Sequence, residues 1–141
     1  MPTRTDRFTI NTKQIEFYSD FRDDFALNPI TGYLFKVSNE DSIKQAIKNL
    51  VLTKRTERFY NPFIGTRLES MLFDPMDTVT QAGIEAEITE TINNNEPRVT
   101  LQNVSAVPNP ELNQYDVTIT FIIKNFVTQP VDLTLVLQRV R

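Results

Sequence analysis

The apolar pattern of this chain changes period at Pro97, and that switch constrains the fold more than any other feature. On the N-terminal side, Ile84, Ile88 and Ile92 recur every fourth residue, the spacing that keeps side chains on one helix face. Proline disfavours helical geometry at the residue before it, so this helix is expected to stop at Glu96, after a run of Asn93, Asn94 and Asn95 that already weakens it. On the C-terminal side the period becomes two. Tyr115, Val117, Ile119, Phe121 and Ile123 alternate with Asp116, Thr118, Thr120, Ile122 and Lys124, as in a strand with one buried face. Val131, Leu133, Leu135 and Leu137 repeat the alternation toward the chain end. Val99 and Leu101 share one parity while Val104 and Ala106 take the other, which predicts a bulge near Gln102 and Asn103. With a turn at Asn109-Pro110, the chain reads as an α+β domain: N-terminal helices followed by a C-terminal antiparallel three-stranded meander.

Upstream of the switch, Ser38 is placed to cap a helix, with Asp41 three residues on in a box-like arrangement. Ile43, Ala46, Ile47, Leu50 and Val51 form its apolar stripe, and Lys44 and Lys48 lie on another face. Asn61-Pro62-Phe63-Ile64-Gly65 reads as a turn, in which Pro fixes one dihedral and Gly permits a positive one. Residues 67–73 suggest a short helix ended by Asp74-Pro75, and Asp77 or Thr78 then caps the longer helix that runs to Asn95. The first residues lack periodicity. They read as an N-terminal arm over 1–16, with one domain over 17–141.

The chain has no cysteine and no histidine, so disulfides, thiolate zinc sites and the usual general base near neutral pH are excluded. No cofactor or metal is expected. No apolar run approaches a membrane span, and the polar start carries no secretory h-region, so the chain is expected to stay in the compartment where it is made. A net charge of −3 argues against nucleic acid as a partner. The charge is uneven: Asp20, Asp23 and Asp24 are followed by Lys44, Lys48, Lys54, Arg55 and Arg58. Solvated faces explain this better than a phosphate-binding strip, and patches of opposite sign would also orient neighbouring subunits.

A helix, then Glu96-Pro97-Arg98, then two or three C-terminal strands resembles the contractile-tail baseplate wedge or sheath-initiator family, which includes T-even-type phage subunits and a type VI secretion component. Phe17-Tyr18-Ser19-Asp20 resembles that family's early aromatic-Ser-Asp element, and the segment from Ser42-Ile43-Lys44 to Lys54-Arg55 its first helix and basic stretch. The turn at Asn61-Pro62-Phe63-Ile64-Gly65 and the short helix from Leu68 to Phe73 follow in the same order. Residues 1–16 and the segment at Asn28-Pro29-Ile30-Thr31-Gly32 have no counterpart.

Physically, a glutamate at a helix C-terminus faces an unfavourable dipole and needs a cation, and Arg98 projects to the same side if both residues are extended. Taken alone, such a pair reads as an ordinary helix stop with two exposed charges. The resemblance implies more, a charged clamp of Glu96, Pro97 and Arg98 at the junction with the wedge core bundle. It likewise implies that Val131, Leu133, Thr134, Leu135, Val136 and Leu137 form a strand to which the tail sheath protein adds its own, templating the first sheath ring. Other baseplate wedge proteins, the sheath protein, six copies per baseplate and a place in the virion tail, assembled in the host cytoplasm, are the implied context. The alternative is a lysozyme-like glycoside hydrolase acting on peptidoglycan, since the family has carried that label. It requires two carboxylates across a cleft, one with a raised pKa. Glu85, Glu87 and Glu90 share a helix, but only Asp74, beside Phe73, has an apolar neighbour that would raise it.

Overall fold

The computed structural model describes residues 17–125 and 129–139. The arm expected over 1–16 and the final two residues lie outside the described ones. The order of elements is β1 (Ser19–Phe21), β2 (Lys36–Ser38), α1 (Asn39–Leu52), α2 (Leu68–Met71), α3 (Thr78–Asn95), β3 (Val99–Asn109), β4 (Gln114–Ile123) and β5 (Val131–Gln138). The α+β class holds, with its three-stranded antiparallel meander in the order β3-β4-β5. The expectation that helices come first needs correction. A two-stranded antiparallel sheet, β1 with β2, precedes α1. Each of its strands has three residues, too few for an alternation to register in the sequence.

That small sheet also changes how α1 begins. Ser38 sits at the N-cap with the extended backbone usual there, paired with Ser19, but its hydroxyl makes no cap hydrogen bond. Asn39 takes over the junction. Its φ is +51°, a left-handed conformation that asparagine tolerates better than most residues. Its Oδ1 accepts from the N–H of Phe17 at 3.0 Å and of Tyr18 at 3.4 Å. Asp77, in contrast, caps α3 as expected, accepting from Thr80 N at 2.7 Å.

Ile43, Ile47, Leu50 and Val51 of α1 are buried, as are Ile84, Ile88 and Ile92 of α3. All of these except Leu50 pack with Tyr115, Val117, Ile119, Phe121 and Ile123 of β4 into one core. Burial of each aliphatic side chain contributes roughly 1.5–3 kcal/mol. The β3–β4 register shifts between Leu101 and Asn103, so the bulge falls where the change of parity places it. Between α1 and α2, residues 54–65 form a loop whose base is closed by Thr66 N donating to Thr53 O and Arg55 N to Thr66 O. Phe59, Tyr60 and Phe63 stand out from it, nearly fully exposed.

Candidate functional site

Glu96 is the C-cap of α3, with φ −122° and ψ 80°, the non-helical geometry that Pro97 demands. Only 6% of it is exposed. A buried carboxylate at the negative end of a helix needs a cation, and Arg98 supplies it. Arg98 Nε donates to Oε1 and Nη2 to Oε2, both at 2.6 Å, a bidentate pair. The hydrogen bonds to Glu96 raise the guanidinium's already high pKa. The two side chains that the sequence places on one side do meet, and burial sets them apart from a pair of idle surface charges.

Two residues that sequence reasoning does not reach complete the junction. The Arg98 guanidinium lies 5.6 Å from the centroid of the Tyr18 ring, and the Tyr18 hydroxyl donates to Lys124 O at 3.2 Å. Lys124 N donates to Arg98 O and Lys124 Nζ to Pro97 O, each at 2.9 Å. Glu96, Pro97 and Arg98 thus tie the start of the described chain to the end of β4. A groove of about 290 Å³ opens beside Glu96, lined by Ala46 and Leu50 of α1 and by the opposite charges Asp20 and Arg58.

The two edges of the meander differ. Ala106 N in β3 donates to Glu85 Oε1 at 2.9 Å, so its amide points at α3 and away from β4. Helix α3 therefore meets the β3 edge at Ala106. Ala106 pairs with Val117, whose backbone groups must then point to β5, toward Leu135. Lys124 N reaching Arg98 O gives the same parity, with even-numbered β4 residues facing β3. It follows that Leu133, Leu135 and Leu137 turn their backbone groups to β4, while Asp132, Thr134, Val136 and Gln138 turn theirs outward. No strand among the described residues lies beyond β5. All six positions expected for strand pairing lie on β5, and Thr134 and Val136 are the two of them whose amides face out.

The carboxylates are arranged for structure. The buried acids among the described residues are Glu87 and Glu96, and both carry arginine partners. Glu87 Oε2 accepts from Arg67 Nη2 at 2.9 Å, Oε1 accepts from Arg67 N at 3.0 Å, and Arg55 Nη2 lies 3.7 Å away. The hydrogen bonds from Arg67 hold the Glu87 carboxyl below its ordinary value, against the opposing effect of burial. A general acid needs the reverse. Asp74 is exposed, and Arg139 stands 4.8 Å from the centroid of its neighbour Phe73. Four of the five residues of the basic run are also engaged, with Lys44 on Glu40, Lys48 on Asp23, Lys54 on Glu69 and Arg55 on Glu87.

The depressed Glu87 pKa fixes the sign of a pH effect. Its contribution to stability is present above the ordinary value of 4.5 and is lost as pH falls through the lower folded value. Glu87→Gln is expected to cost about 1–2 kcal/mol at neutral pH, discounted because Arg67 is largely exposed. In urea melts taken from neutral pH into acid, the variant should lose less stability below pH 4.5 than the parent chain. Parallel acid limbs would show that the pair does not titrate as described.

Comparison with known proteins adds a separate line. The family described as baseplate wedge protein gp25 matches residues 37–128. The protein of that description from Enterobacteria phage T4 is 30% identical over 67 residues, 48% of this chain and 51% of that protein, so the match spans about half of the relative's length. A Geobacter sulfurreducens structure, provisionally named a tail lysozyme, superposes with a TM-score of 0.66 at 24% identity, over 72% of this chain and 92% of the other. A chain in the six-fold symmetrised baseplate of the anti-feeding prophage gives 0.60 at 18% identity, over 88% and 87%. At these identities the two structural likenesses are of fold.

Proposed function

The chain belongs to the baseplate wedge protein gp25 family, and from that premise we propose that it docks on the wedge core beside Glu96, Pro97 and Arg98 and offers β5 to the tail sheath protein as a template for the first sheath ring. It is a structural baseplate wedge subunit of the contractile-tail type. Its place is the tail baseplate of a virion or a related injector, assembled in the host cytoplasm. Six copies per baseplate is the stoichiometry that a six-fold assembly implies. The chain works by binding, with no catalytic step.

The unequal sheet edges carry this reading. One edge meets α3, where the Glu85 carboxylate takes the Ala106 amide, and the other presents the backbone groups of Asp132, Thr134, Val136 and Gln138. An added strand satisfies such a row with main-chain hydrogen bonds, and each subunit added to a ring repeats the same geometry. On the docking side, the Arg98 fork is occupied within the chain. It holds Glu96, which lines the groove between Asp20 and Arg58, and those opposite charges orient the partner.

Proline tests the edge without cutting the internal ladder. Thr134→Pro or Val136→Pro removes an outward N–H, which an edge strand tolerates, while Leu135→Pro removes an N–H that pairs with β4. The expected result is that the first two variants stay folded in urea melts yet start sheath polymerisation on purified baseplates about tenfold less often or worse. Leu135→Pro should unfold. A folded Thr134→Pro chain that starts sheath growth as well as the parent would overturn the template reading.

A further inference from the structure

A free row of backbone groups binds any extended chain, so a template for one partner needs side-chain recognition as well. The β5 edge has a candidate for it. A cavity of about 390 Å³ lies between the end of β5 and the ends of the helices, lined by Val51 and Leu52 of α1, Leu68 of α2 and Leu72 just after it, and Val136 and Leu137. Leu68 and Val51 belong to the core, whereas Leu52 and Val136 are about half exposed. The helices thus carry apolar surface past β5, with no strand there among the described residues to cover it.

We infer that this cavity reads the incoming strand, and that the partner segment alternates an aliphatic or aromatic residue, seated against Leu52 and Leu72, with polar residues. The inference deepens the edge-pairing reading and rests on it. A strand hydrogen-bonded to Thr134, Val136 and Gln138 continues the sheet over the gap, and every second side chain faces the helices. Those side chains extend the layer formed by Leu135 and Leu137. The intervening ones fall on the opposite face, beside the exposed Asp132, Thr134 and Val136, where polar groups suit the first two neighbours. Charge at the cavity is already cancelled, since Lys54 Nζ meets Glu69 Oε2 at 2.7 Å and both line it. A neutral apolar side chain leaves that pair intact, while a charged one has no free counterion there.

Leu52→Lys separates this inference from the reading below it. The site is half exposed and ends α1, where a cation suits the helix dipole, so folding should survive. If the variant does not melt as a folded domain, Leu52→Gln replaces it. Capture of the sheath subunit of the same particle is measured for the parent chain, the Leu52 variant and Thr134→Pro. The expected result is that both variants bind about tenfold more weakly or worse, the Leu52 variant through lost apolar contact. If Thr134→Pro weakens capture and the Leu52 variant binds like the parent, the cavity inference is overturned and the edge reading stands. If Thr134→Pro binds normally, or the parent captures no sheath subunit, both are overturned.

Discussion

Arg98→Ala should lower the stability of the isolated domain by about 2–4 kcal/mol, measured by urea denaturation. Breaking a buried ion pair by removing one partner costs roughly 3–5 kcal/mol, because the other charge stays buried alone. Here the stranded group is Glu96, which is 6% exposed and sits where the helix dipole opposes it. The figure is set below the full range because the Arg98 side chain is itself 35% exposed, so water can reach part of the gap. The variant also frees the Tyr18 ring from its cation. Arg98→Ala is therefore a poor test of docking alone, since failed assembly would follow from a weakened fold. A double-mutant cycle with Glu96→Gln and Arg98→Gln removes the stranded charge, and the double variant should lose less than the sum of the singles. Docking is then assayed on the double variant. An Arg98→Ala chain that melts like the parent would mean that Glu96 finds another partner, and the intramolecular account would be wrong.

Gly65→Ala is expected to be at least as damaging, at about 3–5 kcal/mol. Gly65 has φ +115°, a region that side-chain-bearing residues rarely enter. A Cβ built there would lie 2.5 Å from Thr53 O and 2.9 Å from the Lys54 carbonyl carbon. Both neighbours are backbone, and Thr53 O already accepts from Thr66 N at 2.8 Å to close the loop. Relief requires opening that closure, which also positions Arg55 and Arg67 around Glu87. Calorimetry should show a much lower melting temperature, and protease should cut within residues 54–65 of the folded variant. An unchanged melt would show that the loop base shifts freely, which its hydrogen bonds argue against.

What the sequence discloses depends on the range of the interactions. The β4 alternation from Tyr115 to Ile123 and the α1 stripe from Ile43 to Val51 are long local repeats, and both elements lie where those repeats place them. The Glu96–Arg98 pair is legible because its members lie two positions apart. Ser38 takes the N-cap position that the local rule gives it, yet the start of α1 is pinned by Asn39 binding Phe17 and Tyr18, more than twenty positions upstream. Glu87 reads as one more acid on a helix until Arg67, twenty residues away in sequence, is seen to bind it. The final strand is recognisable as a strand, yet which amides face outward depends on Glu85 meeting Ala106 and Lys124 meeting Arg98. No periodicity carries that information.

The bond from Tyr18 to Lys124 spans 106 residues, and it dates the last step in assembling the junction around Arg98. During synthesis the helices emerge first, and Glu96 can find Arg98 as soon as both have left the ribosome. Tyr18 must wait for β4. Contacts at such separation are late events in folding because the intervening chain has to be closed into a loop first. The small β1–β2 sheet, anchored through Tyr18 and Asn39, carries Asp20 on one side of the groove. A nascent chain therefore lacks the bond that ties the small sheet to the meander until its C-terminal strands exist.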